Sequence, residues 1–413
     1  MLHAFGRAVL KIGRKIGNTE KERIMNRRSA VVLTALALTG AMLVPGMAGN
    51  QKMEDAKLIC LSAEENQEEH RMTGLEFASA MKIGWNLGNT FDAPLGETAW
   101  GNPVTTQELL QLVKELGFET IRIPISWGKH VSAVPAYRID EKFMSRVDTV
   151  VHQALDAGLY VIINSHHDNE IYTPTPENSQ NAKEYLSAIW QQVATHFQDV
   201  DAHLIFETMN EPRVAGSAYE WNISPQNPDC MAALEVVNQL NQTCLDTIRA
   251  AGGENAERMV IVSVYAGSPG SALSSVFQLP EDSAEDRLMI SLHAYTPYRF
   301  ALDQKSGDST FDRQDESEIL TLLKNVNYRF VRKGIPVVID EMGCLDKSNP
   351  EDRYAWCKTF ISAARGYGIP CLWWDNGEIA GSGENFGLIN RRKLTIYDQS
   401  ATVLQGLMDG LEA

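Results

Sequence analysis

The chain reads as a (β/α)8 barrel, α/β in class, forming a single catalytic domain. Three observations predict this. From Gly74 onward, short apolar runs alternate with longer helical patterns, the signature of βα units wound around a parallel sheet. The apolar runs number eight, which is what closes a barrel. A doubly wound open sheet would want a Gly-rich phosphate turn after an early strand, and Gly84-Trp85-Asn86-Leu87-Gly88-Asn89 lacks that spacing.

The first strand lies in Met81-Lys82-Ile83-Gly84-Trp85-Asn86-Leu87, with Gly88-Asn89 opening its loop. A helix over 106–116 is capped by Thr105 or Thr106 and closed by Gly117. Thr120-Ile121-Arg122-Ile123-Pro124 is the second strand. A helix over 140–157 stops at Gly158, and the third strand runs over 159–165 to His166-His167-Asp168. A helix over 181–197 follows. The fourth strand is Leu204-Ile205-Phe206-Glu207-Thr208-Met209-Asn210-Glu211-Pro212, where the proline, unable to donate to a ladder, ends it. A helix over 229–251, a fifth strand over 259–265, a sixth over 288–295 and a helix over 315–333 come next. The seventh strand, Val337-Val338-Ile339-Asp340-Glu341, is followed by a helix over 351–365. Cys371-Leu372-Trp373-Trp374-Asp375-Asn376 is the eighth, and a last helix covers 401–411.

The chain has 413 residues and a net charge of −16. That acidity argues against nucleic acid and anionic membrane surfaces as partners. The six cysteines form no CxxC pair and no zinc spacing, so free, buried thiols are expected for most. Residues 1–48 read as a signal peptide region. Met25-Asn26-Arg27-Arg28, the expected working start, precedes an apolar run from Ser29 to Val44 and the small-residue site Gly46-Met47-Ala48. An uncleaved anchor is the rival, because the run is near the lower length limit of a span. Residues 49–73 read as a polar linker and 74–413 as the barrel. The expected product is a secreted monomer, extracellular or periplasmic, with no membrane contact after cleavage.

Working residues of such a barrel sit at the C-terminal ends of its strands. Those ends hold Asn89, Arg122, His166, Asn210, Glu211, His293, Tyr295, Glu341 and Trp374. Two strand-end glutamates far apart in sequence are what a two-carboxylate hydrolase needs. No serine elbow, catalytic cysteine context or Schiff-base lysine is present. Around these residues stand Gly84-Trp85-Asn86-Leu87-Gly88-Asn89-Thr90, Glu97-Thr98-Ala99-Trp100-Gly101-Asn102-Pro103, Ile121-Arg122-Ile123-Pro124, Ile163-Asn164-Ser165-His166-His167-Asp168, Met209-Asn210-Glu211-Pro212-Arg213, His293-Ala294-Tyr295, Glu341-Met342-Gly343 and Trp373-Trp374-Asp375-Asn376-Gly377. In this order they resemble glycoside hydrolase family 5, in particular its bacterial endoglucanases, a subgroup with cellulases, lichenases and xyloglucanases.

The resemblance implies a retaining endo-β-1,4-glucanase acting on a β-glucan polysaccharide or oligosaccharide. A xyloglucan- or mixed-linkage-specific enzyme is the near alternative. It implies Glu211 as general acid/base, with a raised pKa, and Glu341 as nucleophile. Arg122 would favour the ionised nucleophile, or else pair with Glu207. Tyr295 would donate to Glu341, and Asn210 would hold the sugar 2-hydroxyl. His166 and His293 would be neutral donors, and Trp374 a stacking face. Asp340 should point away from Glu341 by strand alternation. His167 reads as packed, or as supporting the residues that touch substrate rather than touching it, and Trp190 and Trp356 as core. Trp85, Trp100, Trp127 and Trp221 are stacking candidates. No cofactor and no metal are expected. A metal-dependent hydrolase built on His166, His167, Asp168 and His293 is disfavoured, because adjacent strand residues face opposite sides. A non-catalytic sugar-binding barrel would be expected to lack one glutamate.

Overall fold

The structure is a computed structural model that describes residues 71–413 apart from Ser306 and Ser382. The expected signal region, most of the expected linker and Cys60 lie outside the described residues.

Helix α1 (Gly74–Met81) begins at Thr73, whose hydroxyl accepts the Glu76 N–H while Glu76 returns to the Thr73 N–H, a capping box that satisfies two orphan donors. This helix was not anticipated. Its apolar residues Phe77, Ala78 and Met81 pack against Ile162, Ile205, Ile261, Met289, Val338 and Leu372, contributed by strands of the barrel. The element order continues β1 (Ile83–Leu87), α2 (Gln107–Glu115), β2 (Thr120–Ile123), α3 (Glu141–Asp156), β3 (Tyr160–Asn164), α4 (Ser179–His196), β4 (Leu204–Glu207), α5 (Pro228–Ala250), β5 (Val260–Val262), the one-turn α6 (Pro269–Ala272) and β6 (Leu288–His293). It ends with the one-turn α7 (Tyr298–Ala301), α8 (Arg313–Arg329), β7 (Val337–Met342), α9 (Pro350–Arg365), β8 (Cys371–Asp375), a short hairpin of β9 (Ile389–Asn390) and β10 (Thr395–Ile396), and α10 (Ala401–Glu412).

Strands β1 to β8 close into one parallel barrel in sequence order, with β1 paired to β8. The alternation of elements therefore gives the fold it predicts. Caps fix the helix starts: Thr106 for α2, Asp140 for α3, Asn227 with Pro228 at the first turn of α5, and Asp312 for α8. The expected helix over 315–333 is shorter at its end, because α8 stops at Arg329 and only a 3₁₀ turn follows. The fifth strand is also shorter, Val260–Val262, and a 3₁₀ turn over Tyr265–Gly267 takes up the end of the expected run.

One irregularity shapes the rim. Leu292 of β6 pairs with Ile339 of β7, but the next residue, His293, pairs with Glu341. Asp340 is thus an extra residue, a β-bulge that re-aims side chains. Five described cysteines, Cys230, Cys244, Cys344, Cys357 and Cys371, are buried and unbonded. No helix among the described residues is long and apolar enough to cross a membrane.

Candidate active site

Arg122, near the end of β2, is the hub. It is fully buried and paired in register with Asn86 of β1. Its Nε and Nη2 donate to both oxygens of Glu207 at 2.6 and 2.8 Å. Nη1 donates to Glu341 Oε1 at 2.7 Å and to Asn86 Oδ1 at 3.0 Å, and Nη2 also reaches Asn210 Oδ1 at 2.6 Å. The two expectations for Arg122 are therefore both met: it pairs with Glu207 and holds Glu341. Burial works against its charge, but Glu207, Glu341 and Asp340 outweigh that and keep it cationic, well above its ordinary range.

Glu341 is held from a second side by the Tyr295 hydroxyl, which donates to Oε2 at 3.0 Å. Asn210 spends its Oδ1 on Arg122, which leaves the amide nitrogen as the donor it can offer. Glu211, half-buried, accepts from His293 Nδ1 at 2.7 Å and from Arg213 Nη1 at 3.3 Å. Oxygens of Glu211 and Glu341 lie within 4.8 Å of each other and of a His293 ring nitrogen. His293 Nδ1 is 3.5 Å from Glu341 Oε2, so the ring bridges the two glutamates. Gly267, at φ +63°, lies flat against this ring: a Cβ there would meet His293 Cγ at 2.8 Å.

The charges differ from expectation. Burial alone would push His293 toward neutrality, but Glu341, Glu211 and Asp340 surround it and raise its pKa to about 9. His293 is a cation at neutral pH, not a neutral donor. Burial pushes Glu211 up, but the His293 hydrogen bond and the charges of His293 and Arg213 together hold it below the ordinary carboxylate value. The expected raised pKa of Glu211 is therefore not its free-state condition; the proton resides on its partner. The two titrate as a pair. His166 is neutral as expected: burial dominates, and the cations Arg122 and His293 add to it.

His166 stacks parallel to Trp374, with ring centroids 5.8 Å apart and planes 3° from parallel. Trp374 is also close to Gly88, where a Cβ would come within 3.0 Å of its ring. Asn89 takes a left-handed φ of 53° after β1, its N–H on Asp92 and its carbonyl accepting from Asn102. Among the described residues no hydrogen bond joins its side chain to the glutamates.

Several expectations are corrected. Trp85 and Trp127 are buried, their indole N–H groups donating to Asp375 Oδ2 and to the Asn164 carbonyl, so neither offers a face for stacking. Trp190 and Trp356 are core, as read. Trp100 and Trp221 stay exposed on the loops after β1 and β4, at 42 % and 50 %. His167 packs edge-on against His166 and beside Trp100, with its outer part exposed, and among the described residues it hydrogen-bonds to neither glutamate. Asp340 does not point away: as the bulged residue it enters the barrel, Oδ1 accepting from Ser291 Oγ at 2.8 Å.

The argument from alternation against His166 and His167 sharing an ion also fails. Both follow the end of β3, and their rings lie 4.4 Å apart, near Asp92. The donor chemistry still disfavours a metal there. Asp92 accepts the Asn89 and Thr90 N–H groups. Asp168 turns elsewhere, to the Trp127 and Gly128 N–H groups, Ser165 and Tyr185. Around His293, Arg122 covers both oxygens of Glu207, and a second cation would meet a charged ring.

Two neighbours escaped the sequence reading. Arg213, on Glu211 and 4.2 Å under the Trp221 ring, stood in a quoted motif beside the glutamate. Glu384, in the long loop after β8, feels burial and then both glutamates, which raise its pKa; no strand end marks it.

A family model for cellulase (glycosyl hydrolase family 5) matches residues 78–379. Endoglucanase A of Ruminococcus albus is 40 % identical over 355 residues, 84 % of this chain and 95 % of that protein. A GH5 family lichenase from Caldicellulosiruptor sp. F32 superposes with TM-score 0.80 at 40 % identity, over 83 % of this chain and 96 % of that one. A GH5-4 broad specificity endoglucanase from Ruminococcus champanellensis, solved with cellotriose, superposes at TM-score 0.78 and 40 % identity, over 83 % and 100 %. With this fold and this pair of glutamates, the chain belongs to glycosyl hydrolase family 5, the cellulase family.

Proposed function

We propose that the protein is a retaining endo-β-1,4-glucanase that cuts internal bonds of soluble β-glucans. The observation that carries it is the glutamate pair, whose oxygens lie within 4.8 Å. Inverting enzymes separate their carboxyls by about 6.5–9.5 Å to admit a water, whereas retaining ones hold them at about 5–5.5 Å. Glu341, held ready by Arg122 and Tyr295, attacks the anomeric carbon. The Glu211–His293 pair shares one proton and delivers it to the leaving oxygen. Glu211, left as a carboxylate, then deprotonates the incoming water, and two inversions give net retention. Asn210 donates to the 2-hydroxyl, and Trp374 carries the sugar ring on its face.

Internal cutting is supported by the exposed Trp100 and Trp221, aromatic faces on loops at separate points of the rim. The likeness to both a lichenase and a broad specificity endoglucanase favours mixed-linkage glucan as a further substrate. The chain acts as a monomer, secreted after loss of residues 1–48. N-terminal sequencing of protein recovered from medium should begin close to Gly49, and recovery only in detergent-solubilised membrane would overturn that.

Proton NMR of the first products tests the chemistry. A newly formed β-anomer is expected; an α-anomer before mutarotation refutes the nucleophile role of Glu341. Glu341→Gln should abolish turnover. Glu211→Gln should still release good aryl leaving groups slowly while failing on polysaccharide. The viscosity of a soluble glucan should fall well before reducing ends accumulate.

A further inference from the structure

The bulge in β7 places a carboxylate that the double-displacement scheme leaves unused. Asp340 is fully buried, inside the barrel, directly before the nucleophile. Its Oδ1 accepts from Ser291 and lies 3.6 Å from His293 Nε2. Among the described residues, His293 Nε2 and Asp340 Oδ2 make no hydrogen bond although both are buried. The other ring nitrogen, Nδ1, is the one on Glu211. The imidazole therefore stands between two carboxylates, one at the reacting face and one behind it.

We propose that Asp340 is a positioning residue, which acts through His293 to aim its Nδ1–H at Glu211 and to retain the proton that the Glu211–His293 pair shares. The inference rests on the reading of Glu211 as acid/base. A histidine whose far nitrogen faces a carboxylate is fixed in orientation and made a stronger base, the logic of any carboxylate–imidazole couple. Glu207 and Arg122 face Asp340 from the barrel wall, and Glu341, Arg213, His167 and Glu384 stand around the pair. Arg122 is committed to Glu207 and Glu341 by short hydrogen bonds, so His293 is the cation left for Asp340 to act on. Burial and Glu207 lift Asp340 to about 7, against the pull of Arg122 and His293. Its charge therefore grows in over the same interval in which the pair would otherwise begin to lose its proton.

The sign follows. Asp340→Asn removes a negative charge behind His293, so the shared proton leaves at lower pH. The alkaline limb of kcat/KM should move acidward by about one pH unit, the order expected for one charge at contact range under strong screening. Ser291→Ala, which strips the hydroxyl from Oδ1, should move it in the same direction by less. ¹⁵N-histidine NMR of the unaltered enzyme reads the couple without any variant. His293, assigned through its loss in His293→Asn, should carry protons on both ring nitrogens at neutral pH and lose one earlier in Asp340→Asn.

A neutral His293 in the unaltered enzyme overturns the proposal. So does an Asp340→Asn or Ser291→Ala enzyme that melts lower but keeps its alkaline limb, since that is a packing role only. Failure of the acid/base reading shows separately: Glu211→Gln would then retain full polysaccharide activity while the His293 spectrum still responds to Asp340.

Discussion

Replacing Arg122 by methionine removes the hub while keeping much of its volume. Five hydrogen bonds to four residues go at once. Glu207 is left with Asn164 Nδ2 at 3.1 Å as its remaining side-chain donor, and it has no exposure to water. Breaking one side of a buried ion pair costs about 3–5 kcal/mol, because a charge is stranded. With an unfolding entropy of about 2.1 cal/mol/K per residue, a barrel of roughly 340 residues loses about 6 °C of melting midpoint for about 4 kcal/mol. The loss should be smaller in acid, where the stranded carboxylate takes a proton. Adding Glu207→Gln should recover most of the midpoint, since it removes the charge that Arg122→Met strands. Activity should not recover, because Glu341 and Asn210 still lack their anchor. Calorimetry of both variants and hydrolysis assays at matched protein concentration provide the measurements. A fall in midpoint below about 1 °C, or a double variant no more stable than the single one, would refute the reasoning.

Tyr295→Phe deletes one hydroxyl on Glu341. Hydrogen bonds to charged groups contribute about 1.5–3 kcal/mol, so kcat/KM should fall by about 10- to 100-fold with the fold intact by circular dichroism. Trp374→Ala removes the face parallel to His166 and should weaken oligosaccharide binding in calorimetric titration by about 10-fold or more; unchanged binding contradicts a platform role. Stability should decline as pH rises from about 6.5 through about 9. His293 is raised from 6.5 to about 9, so its contribution is complete below 6.5 and lost as pH climbs through about 9. Asp340, raised from 3.8 to about 7, acts in the same direction. A melting midpoint that rises across that interval opposes this account.

The sequence displays the barrel because each strand is an apolar run bounded by turn residues and each helix carries a cap. The two glutamates, Arg122, Tyr295 and Trp374 were legible for the same reason: strand ends of a barrel converge. What escaped depends on contacts that no local pattern encodes. Asp340 obeys alternation until one inserted residue reverses it, and the insertion is visible only against the pairing with β6. The charge of His293 is set by three carboxylates, Glu211 after β4 and both Asp340 and Glu341 on the neighbouring β7, whereas a residue-by-residue reading takes a neutral imidazole. Trp85, in the middle of β1, and Trp127, in the loop after β2, find buried acceptors for their N–H groups.

The arrangement of charges in the barrel also divides by chain order. The first four strands and their ends bring Arg122, Glu207, Glu211 and Arg213, two cations and two anions already joined to one another. The last four bring His293 and Glu341, again one of each sign, with Asp340 close to its midpoint of titration. Among these groups each half is therefore nearly balanced in charge within itself. Two contacts join the halves, Arg122 to Glu341 and His293 to Glu211, and the first is the one that arms the nucleophile. Hydrolytic competence should accordingly require both halves at once, because each glutamate is held by a cation from the other half.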